Sequence, residues 1–224
     1  MPDPTILILL AVVVLGVLGL TRVARARDPM ARRFSMAAER LDLERVASAD
    51  AARALGDFPR YLDEARGVDL AIGGRDGNGG QLVVAAIGTR AGVSAGRPWF
   101  VGAVDDPELR LPVTRLEPRS VRTVRLVAGQ GEVVVEDSRI ARGWRISSED
   151  PTAAARLLDS EPLRTRLGDA LHRPIPWIIG LQMRPGGVAV HLSNPSESPS
   201  DIDDVQRLGR LIMDIADALR SGMR

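Results

Sequence analysis

Apolar and polar residues follow several rhythms along this chain, and each predicts a different element. From Thr5 to Leu20 the run "TILILLAVVVLGVLGL" carries no charge. At ~1.5 Å per residue a helix continued to Val23 would be ~28 Å long, close to the thickness of a hydrocarbon core. A core helix would show a polar face and a core strand would end after ~8 residues, so the run predicts a membrane-spanning helix. After Pro29 the rhythm changes. In "MARRFSMAAERLDLERV" the residues Phe34, Ala37, Ala38 and Leu41 recur at helical spacing with charge opposite. This predicts an amphipathic helix packed on its own domain, or alternatively one lying on anionic headgroups through Arg32 and Arg33. A second helix is expected over "SADAARALGDF", with Ser48 as its cap and Pro59 near its end.

Period-2 runs follow. "VDLAIGGRDGNGGQLVVAAIG" places two apolar, partly β-branched stretches around glycines. A dinucleotide fingerprint needs a helix directly after its glycines, whereas "QLVVAAIG" is a strand pattern. Asp76-Gly77 and Asn78-Gly79 therefore predict a hairpin turn needing positive φ, rather than an anion-binding nest. Further strands are expected at "WFVGAV", "SVRTVRLVAG", "GEVVVED" and "RGWRISS", with turns at Asp106-Pro107 and Gly129 to Gly131. "EDPTAAARLLDSEPLRTRLGDALHR" predicts two helices with Pro151 and Pro162 in their first turns. "PWIIGLQMRPGGVAVHLSN" predicts a hairpin turning at Pro185-Gly186-Gly187. In the last segment Ser200 and Asp203 form a capping-box pattern. Ile202, Val205, Leu208, Ile212, Ile215 and Leu219 then make one apolar stripe.

This order predicts an α+β fold: an N-terminal transmembrane helix followed by one domain whose helices cover one face of a mainly antiparallel sheet. The divisions are 1–29 for the anchor and its basic flank, 30–66 for a juxtamembrane helical segment, and 67–224 for the α+β cytosolic domain.

Charge fixes the expected orientation. Arg22, Arg25, Arg27, Arg32 and Arg33 all follow the apolar run, while "MPDP" before it offers no basic side chain. A secretory signal would need that basic region, although "ARA" at Ala24 to Ala26 resembles a cleavage site. The asymmetry predicts a single-pass protein of the cell membrane, N-terminus outside and C-terminal domain cytoplasmic. The lipid bilayer is one expected partner and another protein a second.

Composition narrows the chemistry. All 30 basic residues are arginine, against 29 acidic ones, so no net field favours nucleic acid, and 3% aromatic residues make no stacking platform for it. A chain without lysine forms no Schiff base and holds no Gly-Lys-Ser/Thr phosphate loop. Without cysteine it has no disulfide, thiol nucleophile or Cys-based zinc site. His172 and His191 have no partner three to five positions away, as zinc ligands would. Asp201, Asp203 and Asp204 fit the first turn of a helix, and Asp105 and Asp106 fit a strand end and turn. Trp99, Trp144 and Trp177 fall on expected strands, as core anchors or membrane-proximal contacts rather than ligand-stacking platforms. No catalytic, cofactor-binding or metal-binding residue is assigned, and no cofactor is expected.

The segments "FPRYLDEARGVDLAIGGRDGNGGQLVVAA" and "RGWRISSEDPTAAARLLDSEPLRTRL", with the hairpin and closing helix after them, carry a resemblance to a group of bacterial single-span membrane-anchored proteins of unknown function. The resemblance implies a membrane-tethered domain and lends no catalytic residues. Two functions are expected from this reading. The first is a membrane-tethered, non-catalytic interaction or scaffolding domain; the alternative is a membrane-bound hydrolase or small-ligand sensor whose site assembles only in three dimensions.

Overall fold

A computed structural model describes residues 29–56, 58, 65–89, 99–119, 131–136, 138–172, 178–192 and 203–223. Helix α1 (Pro29–Leu41) starts on Pro29, whose fixed φ suits a first turn. It buries Phe34, Ala37 and Ala38 in the main core. Strand β1 (Glu44–Arg45) follows, and Arg45 reaches back to α1, donating to the Ala31 carbonyl and to Ser35 Oγ. Helix α2 (Ser48–Leu55) begins at Ser48 after an extended Ala47 with no side-chain cap, so Ser48 is the first helical residue rather than the cap expected of it.

Then come β2 (Ala65–Arg75), β3 (Gln81–Thr89), β4 (Trp99–Asp105), β5 (Thr114–Pro118) and β6 (Gly131–Glu132). They are followed by α3 (Ser138–Gly143), β7 (Trp144–Ser148), α4 (Pro151–Leu158), α5 (Glu161–His172), β8 (Ile178–Arg184), β9 (Gly187–Leu192) and α6 (Asp203–Gly222). Among the described residues nine strands form one sheet in the order β1-β2-β3-β4-β9-β8-β5-β7-β6, and every recorded pairing is antiparallel. Because β1 pairs with β2 and α1 packs on α6, the segment 30–66 contributes to the same sheet and core as the rest.

Strand pleating sends alternate residues to two faces. On the first lie Leu82, Val84, Phe100, Val104, Val188 and Val190, covered by α1 and α6. Helix α6 sits close to β4 because Gly102 has no side chain; a Cβ there would come within 3.0 Å of Leu208. On the second face Val83, Ala85, Val101, Ala103 and Ala189 pack with Ala51, Leu55 and Phe58. Helices therefore cover both faces and not the one expected, which explains why β3 and β4 are apolar at nearly every position rather than alternating.

Several expectations change. The N-terminal transmembrane helix, and with it the single-pass description, is corrected: among the described residues no helix is long and apolar enough to cross a membrane. The longest, α6, is amphipathic over its 20 residues, with Arg207, Arg210, Asp214, Asp217 and Arg220 along it. The run Thr5–Leu20 lies outside the described residues, as do Arg22, Arg25 and Arg27, "SVRTVRLVAG", Trp177, Ser200, Asp201 and Ile202. In "GEVVVED" only Gly131 and Glu132 are strand; the Val133 N–H still donates to the Ile146 carbonyl at 3.0 Å, and Val133 and Val135 are buried while Val134 is exposed. Strand β5 and helix α3 are elements the periodicity did not announce.

Candidate functional site

Three polar constellations stand out from the apolar framework. The first lies on the second face of the sheet, where the row of small apolar residues turns polar beyond β4. His191 on β9 pairs with Val101 on one side and Gly180 on the other, while Gln182 on β8 pairs with Arg115 on β5, which pairs in turn with Ser147 on β7. His191, Glu117, Ser147 and Gln182 are all buried. Arg115 Nε lies 2.6 Å from Glu117 Oε1, an ion pair between residues two apart on one strand and therefore on one face. Burial, with the Arg115 charge adding to it, pushes the His191 imidazole down from 6.5 to about 3. The ring is thus neutral at physiological pH. At 1% exposure it is closed to solvent and too weak a base to hold a proton there.

The second constellation is a clasp around Arg220 in the last turns of α6. Its guanidinium donates to Asp76 Oδ2 at 2.7 Å, to Asp106 Oδ2 at 2.8 Å through Nε, and to Asp217 Oδ1 at 2.8 Å. Burial works against the Arg220 charge, but the hydrogen bonds and charges of Asp76 and Asp106 raise its pKa on balance. Asp76 also accepts from the backbone N–H of Asn78 and Gly80, and Asp106 from that of Glu108. The glycine loop is therefore closed by its own aspartate. Amides that an anion nest would present to a phosphate are already occupied, and α6 is tied to two turns that sequence distance keeps far apart. Within that loop Gly79 has φ +93°, whereas Gly77 does not adopt positive φ, so one glycine and not both meets the expected backbone requirement.

The third is a groove of about 550 Å3 between the end of α1 and the start of α6, lined by Arg40, Gln206, Arg207 and Arg210. Gln206, largely buried, accepts a 2.9 Å hydrogen bond from Arg40 Nη1 and so orders that guanidinium with a neutral amide. The helices approach closely here because Gly209 faces α1; a Cβ would stand 2.5 Å from Leu41 Cδ1. Arg207 and Arg210 are exposed, three apart on α6 and hence neighbours on its surface. Neither pairs with a described carboxylate, and Asp214, one turn on, is engaged by Arg166 at 3.8 Å.

Of the expected flank arginines the structure describes Arg32, exposed, and Arg33, half-buried, on α1. Arg33 and Arg40, seven apart, share one edge of that helix. Arg207 and Arg210 were not singled out by the sequence; two arginines three apart on the polar side of the amphipathic closing helix were the available signal. His172 ends α5, Asp203 and Asp204 open α6, and Trp99 opens β4, while Trp144 is buried in the core. Among the described residues no three His, Asp or Glu side chains gather as a metal-ligand set.

No protein-family model matches the chain, and no curated protein matches it in sequence. Among solved structures it is similar to the crystal structure of the mycobacterial trehalose monomycolate transport factor A, TtfA. The TM-score is 0.56 at 14% identity, over 86% of this chain and 97% of that one. At that identity the likeness establishes a shared α+β fold.

Proposed function

We propose that the protein is a non-catalytic interaction domain working at the cytoplasmic face of the cell membrane, as an accessory factor in transport. The observation that carries this reading is where the charged groups lie. His191 and Glu117, which a catalytic site would need within reach, are sealed in the sheet, whereas Arg32, Arg207 and Arg210 stand exposed on the α1–α6 side. An outward basic surface suits the anionic cytoplasmic leaflet and the proteins embedded in it. The fold likeness to a protein named as a transport factor is consistent with a cell-membrane location and supports an accessory role. A hydrolase or sensor reading would ask the polar row around His191 to bind substrate, and a neutral, buried imidazole pulled down to about 3 offers it no general base.

The test is site-specific photo-crosslinking in cells expressing the full chain. A photoreactive residue in place of Arg32 or Arg207 is expected to give a discrete adduct with a membrane component. One in place of Asp69, exposed on β2, should give none. Adducts independent of position, or at Asp69 alone, would overturn the assignment of the interaction surface.

A further inference from the structure

The groove at the α1–α6 junction has a more definite chemistry than a general basic surface. We propose that it binds the phosphate of an anionic phospholipid headgroup, held by Arg40, Arg207 and Arg210. The inference rests on the interaction-surface reading above and names the ligand for part of that surface.

Arginine suits this task because its planar fork donates two parallel N–H bonds to phosphate oxygens. Here three such forks line one depression, and with them among the described lining residues is Gln206, a neutral amide that accepts from Arg40. Arg207 and Arg210 make no described ion pair, so a ligand gains their charge without first breaking a bond. Two carboxylates further along α6 are committed to other arginines, Asp214 to Arg166 and Asp217 to Arg220. Glu39 is exposed beside Arg40 on α1. The depression, about 550 Å3, has room for a headgroup with its glycerol. Arg33 and Arg40 on one edge of α1 extend the basic strip away from the groove for about 10 Å, as a flat anionic layer would require.

The experiment uses the full chain in nonionic micelles, with 15N-labelled arginine side chains followed by NMR. Short-chain phosphatidylglycerol should shift the Arg40, Arg207 and Arg210 resonances with saturation, and short-chain phosphatidylcholine should shift them much less. Each groove arginine replaced by glutamine should weaken half-saturation about fivefold, so that R207Q/R210Q weakens it about 25-fold. R142Q, an exposed change on α3, should leave it unaltered. An unchanged melting temperature is expected for R207Q/R210Q, whose replaced side chains are exposed, and confirms that folding is not the cause. Equal response to the two lipids, or an R207Q/R210Q protein with wild-type half-saturation, would overturn the proposal. Saturation by inorganic phosphate below millimolar concentration would overturn the lipid assignment in favour of a soluble phosphate. Loss of lipid response with persistent crosslinking of Arg207-position probes to one protein would overturn the headgroup inference while leaving the interaction surface standing.

Discussion

His191 shows how much a single environment decides. In the sequence it is an imidazole near a strand end, with nothing to mark it; in the fold it is buried with Arg115 nearby and driven to a pKa of about 3. The unfolded chain, with its ordinary value of 6.5, takes up a proton that the folded chain refuses between these two values. Stability from this group is therefore full above pH 6.5 and is lost as pH falls toward 3, by up to ~1.4 kcal/mol per unit. Comparing denaturant midpoints of wild type and His191→Gln between pH 5 and 6.5 should show the steeper loss in wild type. Identical slopes would mean that the ring stays solvated in the native state. The glycine loop offers a second contrast at this scale. Gly79→Ala forces alanine into φ +93° and should cost ~1–2 kcal/mol. Gly77 has open space where a Cβ would go and no positive φ, so Gly77→Ala should change the melting temperature little. Dipeptides such as Asp-Gly and Asn-Gly do announce a turn. They do not say which glycine bears the strain, because that depends on the Asp76 side chain closing a loop of five residues between Arg75 and Gln81.

At the scale of elements, long periodic segments were legible and short or charged ones were not. The stripe Val205, Leu208, Ile212, Ile215 and Leu219 predicts α6, and all five side chains are buried. Leu208→Ala or Ile212→Ala should lower stability by ~2–5 kcal/mol in chemical denaturation. Strand β5 escaped because its five residues, TRLEP, hold one large apolar side chain and two charges, which reads as a loop, whereas in the fold both charges lie on one face and pair with each other. The clasp was equally hidden, since Arg220 meets partners 114 and 144 residues away. Its removal is correspondingly costly. Arg220→Ala leaves the buried carboxylates of Asp76 and Asp106 without their shared cation, and should destabilise by ~3–5 kcal/mol. Asp76→Asn and Asp106→Asn combined with Arg220→Ala should recover part of that loss. A triple variant no more stable than Arg220→Ala would show that the cost lies in packing rather than in uncompensated charge.

For the whole molecule, one antiparallel sheet with α1 and α6 on one face and α2 on the other explains the assignment of function to a surface rather than a cavity. The α+β class was legible in the strand pairs and the closing helix; what covers each face was not, because a continuous apolar run such as "QLVVAAIG" marks a strand buried on both faces without naming the elements that pack on it. The same layering turns the amphipathic face of α1 into the core and leaves its arginine edge outside, beside Arg207 and Arg210. The most direct test of this arrangement is hydrogen–deuterium exchange of the full chain in nanodiscs carrying native anionic lipid, compared with nanodiscs of neutral lipid. The account predicts slower exchange in the anionic discs across residues 32–41 and 203–211, with 144–148 and 187–192 unchanged. Protection confined to the strands around His191 and Ser147, with α1 and α6 unaffected, would contradict it and place the functional site inside the sheet.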